Sequence, residues 1–242
     1  MSLAGSADFQ VLLLDGYNLL ASKVQAVGWK RGIPQEQTDG LGDRWDEFSP
    51  TGRQVGTVTQ TGGFFSTAAG GVHAALKDTP LTPRVLTFAP QGNTIGNVFV
   101  GFQGVAQIGY DVISALGKLT KANAGYQVSG RVDEGVILQT HAQQTVDWNT
   151  ASVDNGASSA FGGVGYLSVS QLAGLTGFVG VIEHSTDNAA WVTLITFANV
   201  TAAPAAQRIT VTGTVHRYLR FRGDLTGVGT ITPYVGFARF TA

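Results

Sequence analysis

Apolar and polar positions along this chain change in short bursts of strand length, and long helical periods are absent. Residues 9–14 (FQVLLL) form a short apolar run ending in Asp15-Gly16, a turn signal. KVQAVGW (23–29) follows as the second strand of a hairpin-like unit. Residues 30–52 are polar and hold Pro34, Pro50 and several glycines, which predicts a long loop. A loop of that length inside a compact domain is usually functional or disordered. RQVGTVTQT (53–61) alternates Val and Thr and predicts a strand. AAGGVHAALKD (68–78) is the best helical window, kept short by Gly70 and Gly71 and closed by Pro80 and Pro83. Strands are predicted at 84–89, 98–105 and 128–138, while 111–122 fits either state, with Leu119 or Lys121 able to start a strand.

The pattern then lapses. Residues 141–165 are small, polar and glycine-rich, with almost no core-forming periodicity, as in a linker. A second set of strands follows at 166–172, 178–184, 191–197, 208–215, 218–222 and 234–240. RITVTGTV (208–215) puts Ile209, Val211 and Val215 on one face and Arg208, Thr210, Thr212 and Thr214 on the other. Short strands at even spacing between turn signals suggest a β-sandwich. The expectation is an all-β chain with one short helix. It comprises a first domain over 1–147, a linker at 148–157 and a C-terminal β-sandwich over 158–242.

Composition narrows the chemistry. Charged residues are 13% of the chain against 33 glycines. That is about half the usual charged share, and such weakly charged surface is often covered by partner subunits. Net charge is −1, so no overall pull on nucleic acid is expected. Without cysteine there is no disulfide, zinc-thiolate site or thiol nucleophile. MSLAGSADFQ lacks the basic start and apolar stretch of a signal peptide, and no apolar run reaches membrane-helix length. His73, His141, His184 and His216 lie on separate predicted elements without metal-helix spacing, and read as surface or interface residues. No nucleophile elbow, phosphate loop or dinucleotide fingerprint is present. Neither an enzyme nor a cofactor is expected.

Three clusters remain. Asp43, Arg44, Asp46 and Glu47 surround Trp45 in the long loop, with Phe48 and Arg53 close behind, and their spacing fits neither a calcium loop nor an acid–base pair. Asp133 and Glu134 are neighbours on a predicted strand, so they point to opposite faces and cannot share a proton across a cleft. In RYLRFRGD (217–224), Tyr218, Arg220 and Arg222 share one face. Such a face can bind single-stranded nucleic acid or sugars, or can be an exposed face paired with acidic neighbours.

The first 140 or so residues resemble the major tail tube proteins of long-tailed bacteriophages. FQVLLLDGYNLL with KVQAVGW, the loop GDRWDEFSPTGRQVGTVTQTGGFF, the helix GGVHAAL and the strands in LTKANAGYQVSGRVDEGVIL carry the resemblance. It implies a tail-tube-type β-sandwich or barrel, homo-hexameric rings stacked into a tube, and DNA passing transiently through the lumen. Tape measure, terminator and baseplate or tip proteins are the implied partners. It also implies assembly in the host bacterial cytoplasm, a place in the virion and no membrane. Asp43, Arg44, Trp45, Asp46, Glu47, Phe48 and Arg53 become an inter-subunit loop, with Trp45 and Phe48 as apolar anchors. EHSTDNAAWVTLITF (183–197) and TGTVHRYLRFRGD (212–224) resemble strands of discoidin-like, carbohydrate-binding sandwiches. That leaves a capsid decoration protein or host-glycan-binding module as the alternative.

Overall fold

The structure, a computed structural model, describes residues 5–38, 44–50, 55–68, 71–78 and 82–241. In chain order it runs β1 (Val11–Leu14), β2 (Tyr17–Asn18), β3 (Ala26–Gly32), β4 (Gln35–Gln37), β5 (Phe48–Pro50), β6 (Val55–Phe64) and α1 (Val72–Leu76). Next come β7 (Leu86–Ala89), β8 (Val98–Phe102), β9 (Val105–Ile113), β10 (Lys121–Val128), β11 (Val132–Gln139), β12 (Trp148–Asn149) and β13 (Val153–Asp154). The chain ends with β14 (Gly163–Ser185), β15 (Val192–Thr196), β16 (Ala205–Val211) and β17 (Tyr218–Arg239). The protein is all-β with one short α-helix.

An eleven-stranded antiparallel sheet has the order β15-β14-β17-β11-β8-β7-β1-β2, with β12 and β13 paired to β17 and β16 to β14. This sheet curls on itself. A Cβ on Gly16, just past β1, would lie 2.5 Å from the carbonyl oxygens of both Val169 and Ala205, so the two ends of the sheet touch. Inward side chains of β1, β7, β8, β11, β14 and β17 share one core, including Val11, Leu13, Phe99, Ile137, Tyr166 and Tyr234. The rings fill it so fully that a Cβ on Gly236 would fall 2.1 Å from Phe99.

Both outer faces of this barrel are covered as well. On one side Leu12, Leu14, Leu86, Phe88 and Phe102 meet α1 and a four-stranded sheet of order β3-β6-β10-β9. On the other, Leu138, Leu167, Val169, Val235 and Phe237 meet the C-terminal lobe. Burial on two faces explains why β1 is an unbroken apolar run, VLLL, with every residue buried. The helix is five residues long, and its last carbonyls are satisfied from outside. Ala75 O accepts from Arg84 Nη1 at 2.7 Å and Leu76 O from Gln107 Nε2 at 2.7 Å, while buried Arg84 also pairs with Asp15 at 2.6 Å.

The structure departs from the sequence expectation in several places. KVQAVGW does not pair with the first strand, since β1 pairs with β2 and β7 and β3 with β6, and the expected 128–138 strand is split between β10 and β11. The 30–52 loop contains ladder: β3 extends to Gly32, and β4 and β5 form a hairpin paired Gln35↔Pro50 to Gln37↔Phe48. The predicted pairs of strands 166–172 with 178–184, and 218–222 with 234–240, are each one long strand, β14 and β17. Glycines that read as breaks are bulges: Gly174 and Gly227 take φ of 78° and 98°, and the ladder shifts register at Ala173/Leu175. At this bend β14 folds over itself, and a Cβ on Gly165 would meet Ile182 Cδ1 at 2.8 Å. The two halves thereby become facing layers of the C-terminal sandwich. Residues 148–157, expected as a linker, contribute β12 and β13 to the sheet, with Trp148 stacked on Phe178 at 5.8 Å. The expected boundary therefore falls beside a barrel that draws strands from both sides of it.

Candidate functional site

The four-stranded sheet presents a bare face. Its inner side buries Val58, Ala122, Ala124 and Tyr126. Its outer side carries Thr57, Thr59 and Thr61 on β6 beside Asn123, Gly125 and Gln127 on β10, with Lys30 across from Thr57, Asp111 across from Asn123 and Lys121 near one end. Among the described residues edge strands β3 and β9 each have one strand neighbour, apart from an isolated bridge between Val105 at the start of β9 and Arg84. They run antiparallel to one another, because three antiparallel steps separate them. Open edges of this length invite another strand.

The β4–β5 hairpin leaves this sheet at the Gly32 and Val55 end. Trp45 is 82% exposed and Phe48 56%, and Arg44, Asp46 and Glu47 are exposed around them. Thr38 N–H donates to Glu47 O at 2.8 Å and extends the ladder. Asp43 and Arg53 lie outside the described residues. The structure thus brings Arg44 to Phe48 together on one projecting element, with the two aromatic rings uncovered.

The RYLRFRGD face is already neutralised. Glu183, across the ladder from Arg220, accepts from Arg220 Nε at 2.7 Å and Arg222 Nη1 at 3.0 Å. Arg222 also meets Asp224 at 3.2 Å, and the Arg220 guanidinium lies 4.3 Å from the Trp191 ring centre. Tyr218 is half-buried beneath Arg217, which is paired with Asp154 at 2.6 Å. Two arginines against Glu183 and Asp224 leave no net charge for a phosphate, as the paired-face alternative requires.

Asp133 and Glu134 separate as strand geometry demands. Glu134 is exposed and 3.5 Å from Arg31. Asp133 is buried against Arg131 at 2.7 Å, Arg208 at 3.2 Å and the Tyr166 hydroxyl at 2.5 Å. Burial, then the charge of Asp133, pushes the Tyr166 hydroxyl far above its ordinary range. The histidines differ from the surface expectation. His184 is 7% exposed, with its ring 4.2 Å from that of His216. Half-buried His141 meets Ser170 Oγ at 2.8 Å on the wall of a cavity of about 640 Å³ where β2 faces β14 and β17. Sequence reasoning missed this cavity because its walls come from segments more than a hundred residues apart. Among the described residues no group of three acidic or histidine side chains could hold a metal.

The fold and its surfaces define an all-β protein with two open sheet edges and uncovered aromatic rings. No family model and no curated protein matches the chain. Among solved structures it is similar to a chain in the tail of an empty gene transfer agent particle of C6 symmetry. That match has 11% identity, 54% of this chain and 97% of that one covered, and a TM-score of 0.41. A chain of a native gene transfer agent virion matches at 12%, covering 55% and 98%, with a TM-score of 0.39. The SPP1 Dit protein, described as a hub of the adsorption apparatus in phages infecting Gram-positive bacteria, matches at 10%. There 95% and 99% are covered, and the TM-score is 0.37. Likenesses this weak in identity and superposition carry no functional argument.

Proposed function

We propose that this chain is a structural virion protein of a phage tail, without catalytic activity. In this reading β9 of one copy pairs with β3 of the next until the four-stranded sheets of six copies close a ring. The observation that carries it is the pair of open, mutually antiparallel edges flanking a face of mostly small polar residues. An even number of strands per subunit lets every junction in the ring be antiparallel, and closure removes both exposed edges. Six copies and a stacked tube are the arrangement that the tail-tube resemblance implies. A face mostly of threonine, asparagine and glutamine, with Lys30 and Lys121 set against Asp111, would line the lumen while holding DNA phosphates only weakly. Negative-stain microscopy with mass photometry of concentrated protein tests this: hexameric rings or tubes are expected, and strictly monomeric protein at all concentrations refutes it.

A decoration or glycan-binding module is the second reading. The cavity of about 640 Å³ favours it, since Tyr17, Asn18, His141, Ser170 and Gln171 offer hydrogen-bonding groups and no charged side chain lines it. A glycan array without a hit would remove this reading.

A further inference from the structure

The cavity beside His141 is the mouth of the barrel. Ser168 on β14 and Tyr234 on β17 are cross-strand partners on the inward face, in line with the barrel residue Tyr166. Further along the same ladder, Val169 opposes Pro233 and Gln171 opposes Thr232, so Ser170 is the extra residue of a bulge. A bulge re-aims side chains, and here Ser170, Gln171 and Thr232 all line the cavity, with Tyr17 and Asn18 of β2 facing them.

The lining carries no charged side chain, and burial holds the His141 pKa below its ordinary value, so the ring is neutral at pH 7. Ser170 Oγ donates to Thr232 O at 3.3 Å. It therefore accepts from His141 Nε2 at 2.8 Å, and His141 Nδ1 is left as an acceptor. Asn18 Oδ1 accepts from Leu20 N–H at 3.1 Å, which leaves its Nδ2 to donate. Behind Thr232 and Ser170, Ser168 Oγ and Tyr234 Oη are buried with no hydrogen-bond partner among the described residues. A buried hydroxyl without a partner is costly and needs a cause.

We propose that the barrel mouth binds an uncharged polyhydroxyl compound, a single sugar or a disaccharide. About 640 Å³ is within the usual range of a small-molecule site. Hydroxyls both donate and accept, which matches a wall that mixes acceptors with donors. Tyr17 and Leu172 offer apolar surface to the ring carbons. A ligand hydroxyl directed inward supplies the partner that Ser168 and Tyr234 lack. An ionised sugar would lose its water with no opposite charge to meet. Two sources carry the same chemistry: a free sugar, and the end of a neutral surface glycan. The proposal rests on the second reading for the cavity being a binding site, and it holds whether or not six copies close a ring.

Saturation-transfer NMR on the full chain tests this, with glucose, galactose and trehalose set against glucuronate and glucose 6-phosphate at pH 7. The neutral sugars should give signal, and the charged ones should bind at least about tenfold more weakly. Ala21→Trp fills the cavity and should abolish the signal, while Ser170→Ala should weaken binding about tenfold. The melting midpoint is the control for folding, and if A21W lowers it, Ala173→Trp fills the same space from the other wall. Equal binding of the charged sugars overturns the ligand class. Neutral-sugar binding that survives the filled cavity at full strength overturns this site and leaves the second reading standing. Hits on neutral-ended glycans of an array, lost in A21W, uphold the site with the glycan as source even where free sugars give no signal. No binding by either measurement overturns the proposal and the second reading together.

Discussion

The Tyr166 hydroxyl donates to Asp133 Oδ2 at 2.5 Å inside the barrel, joining β11, which precedes the expected domain boundary, to β14, which follows it. Arg208 from β16 reaches the same oxygen at 3.2 Å. Asp133→Ala leaves Arg208 without its carboxylate. The expected loss is about 3–5 kcal/mol, typical of breaking a buried pair on one side. Tyr166→Phe should cost about 1–3 kcal/mol, the usual penalty for a buried polar group left unpaired. Urea denaturation checks both, and an unchanged midpoint in Asp133→Ala would contradict the account.

Trp45 touches nothing that holds the monomer together, so Trp45→Ala should leave the thermal midpoint within about 1 °C, as surface changes of a few tenths of a kcal/mol do. Ring stacking should weaken markedly, because the aromatic anchor of the hairpin is gone. Tube length in electron micrographs measures this; normal length and yield would remove the docking role.

Stability should fall on mild acidification. Burial, then His216, then Arg239 hold the His184 pKa below its ordinary value, and burial does the same for His141. The unfolded chain therefore binds more protons, so stability is complete above about pH 6.5 and declines as pH drops through that value toward the folded ones. Protonation at His184 Nδ1 also removes the acceptor for His216 N–H at 3.2 Å. Asp154 and Asp187, held to about 2 by Arg217 and by the Ala190 and Ala189 amides respectively, add a separate decline below about pH 4. Urea midpoints from pH 8 to 5 should trace the first decline, and His184→Gln should flatten it.

The threonine face gives a fourth expectation. Thr59→Lys places one added positive charge per subunit at the centre of the outer face of the small sheet. Assembled rings of this variant should bind short duplex DNA with an affinity that drops steeply with salt, whereas wild-type rings should not. Equal binding by both in fluorescence anisotropy would show that this face does not line a channel.

Much of the fold was legible because its strands obey simple patterns. Val and Thr alternate in β6, and the two-sided burial of β1 leaves the run VLLL. What escaped was long-range. Gly174 and Gly227 look like turn residues locally, yet a 6 to 20 residue view cannot tell a bulge inside a long strand from its end. Trp148 sits in a polar stretch, and only its stacking on Phe178 shows that the stretch is fixed. Trp45 and Phe48 were singled out only as anchors that the tail-tube resemblance implies, and the structure leaves both rings exposed. The exposed apolar turn at Leu116 was not legible, since 111–122 fits helix and strand alike until β10 is seen beside it.

The two long strands also settle how the lobes are joined. β14 and β17 pass as one pair from the barrel into the C-terminal sandwich, with register shifts at Val169/Gln171, Ala173/Leu175 and Leu175/Gly177 where the pair bends. The two lobes therefore share one backbone ladder, and the glycine bulges at Gly174 and Gly227 mark where that ladder turns from one into the other. Neither lobe can separate from the other without breaking backbone pairing that both share.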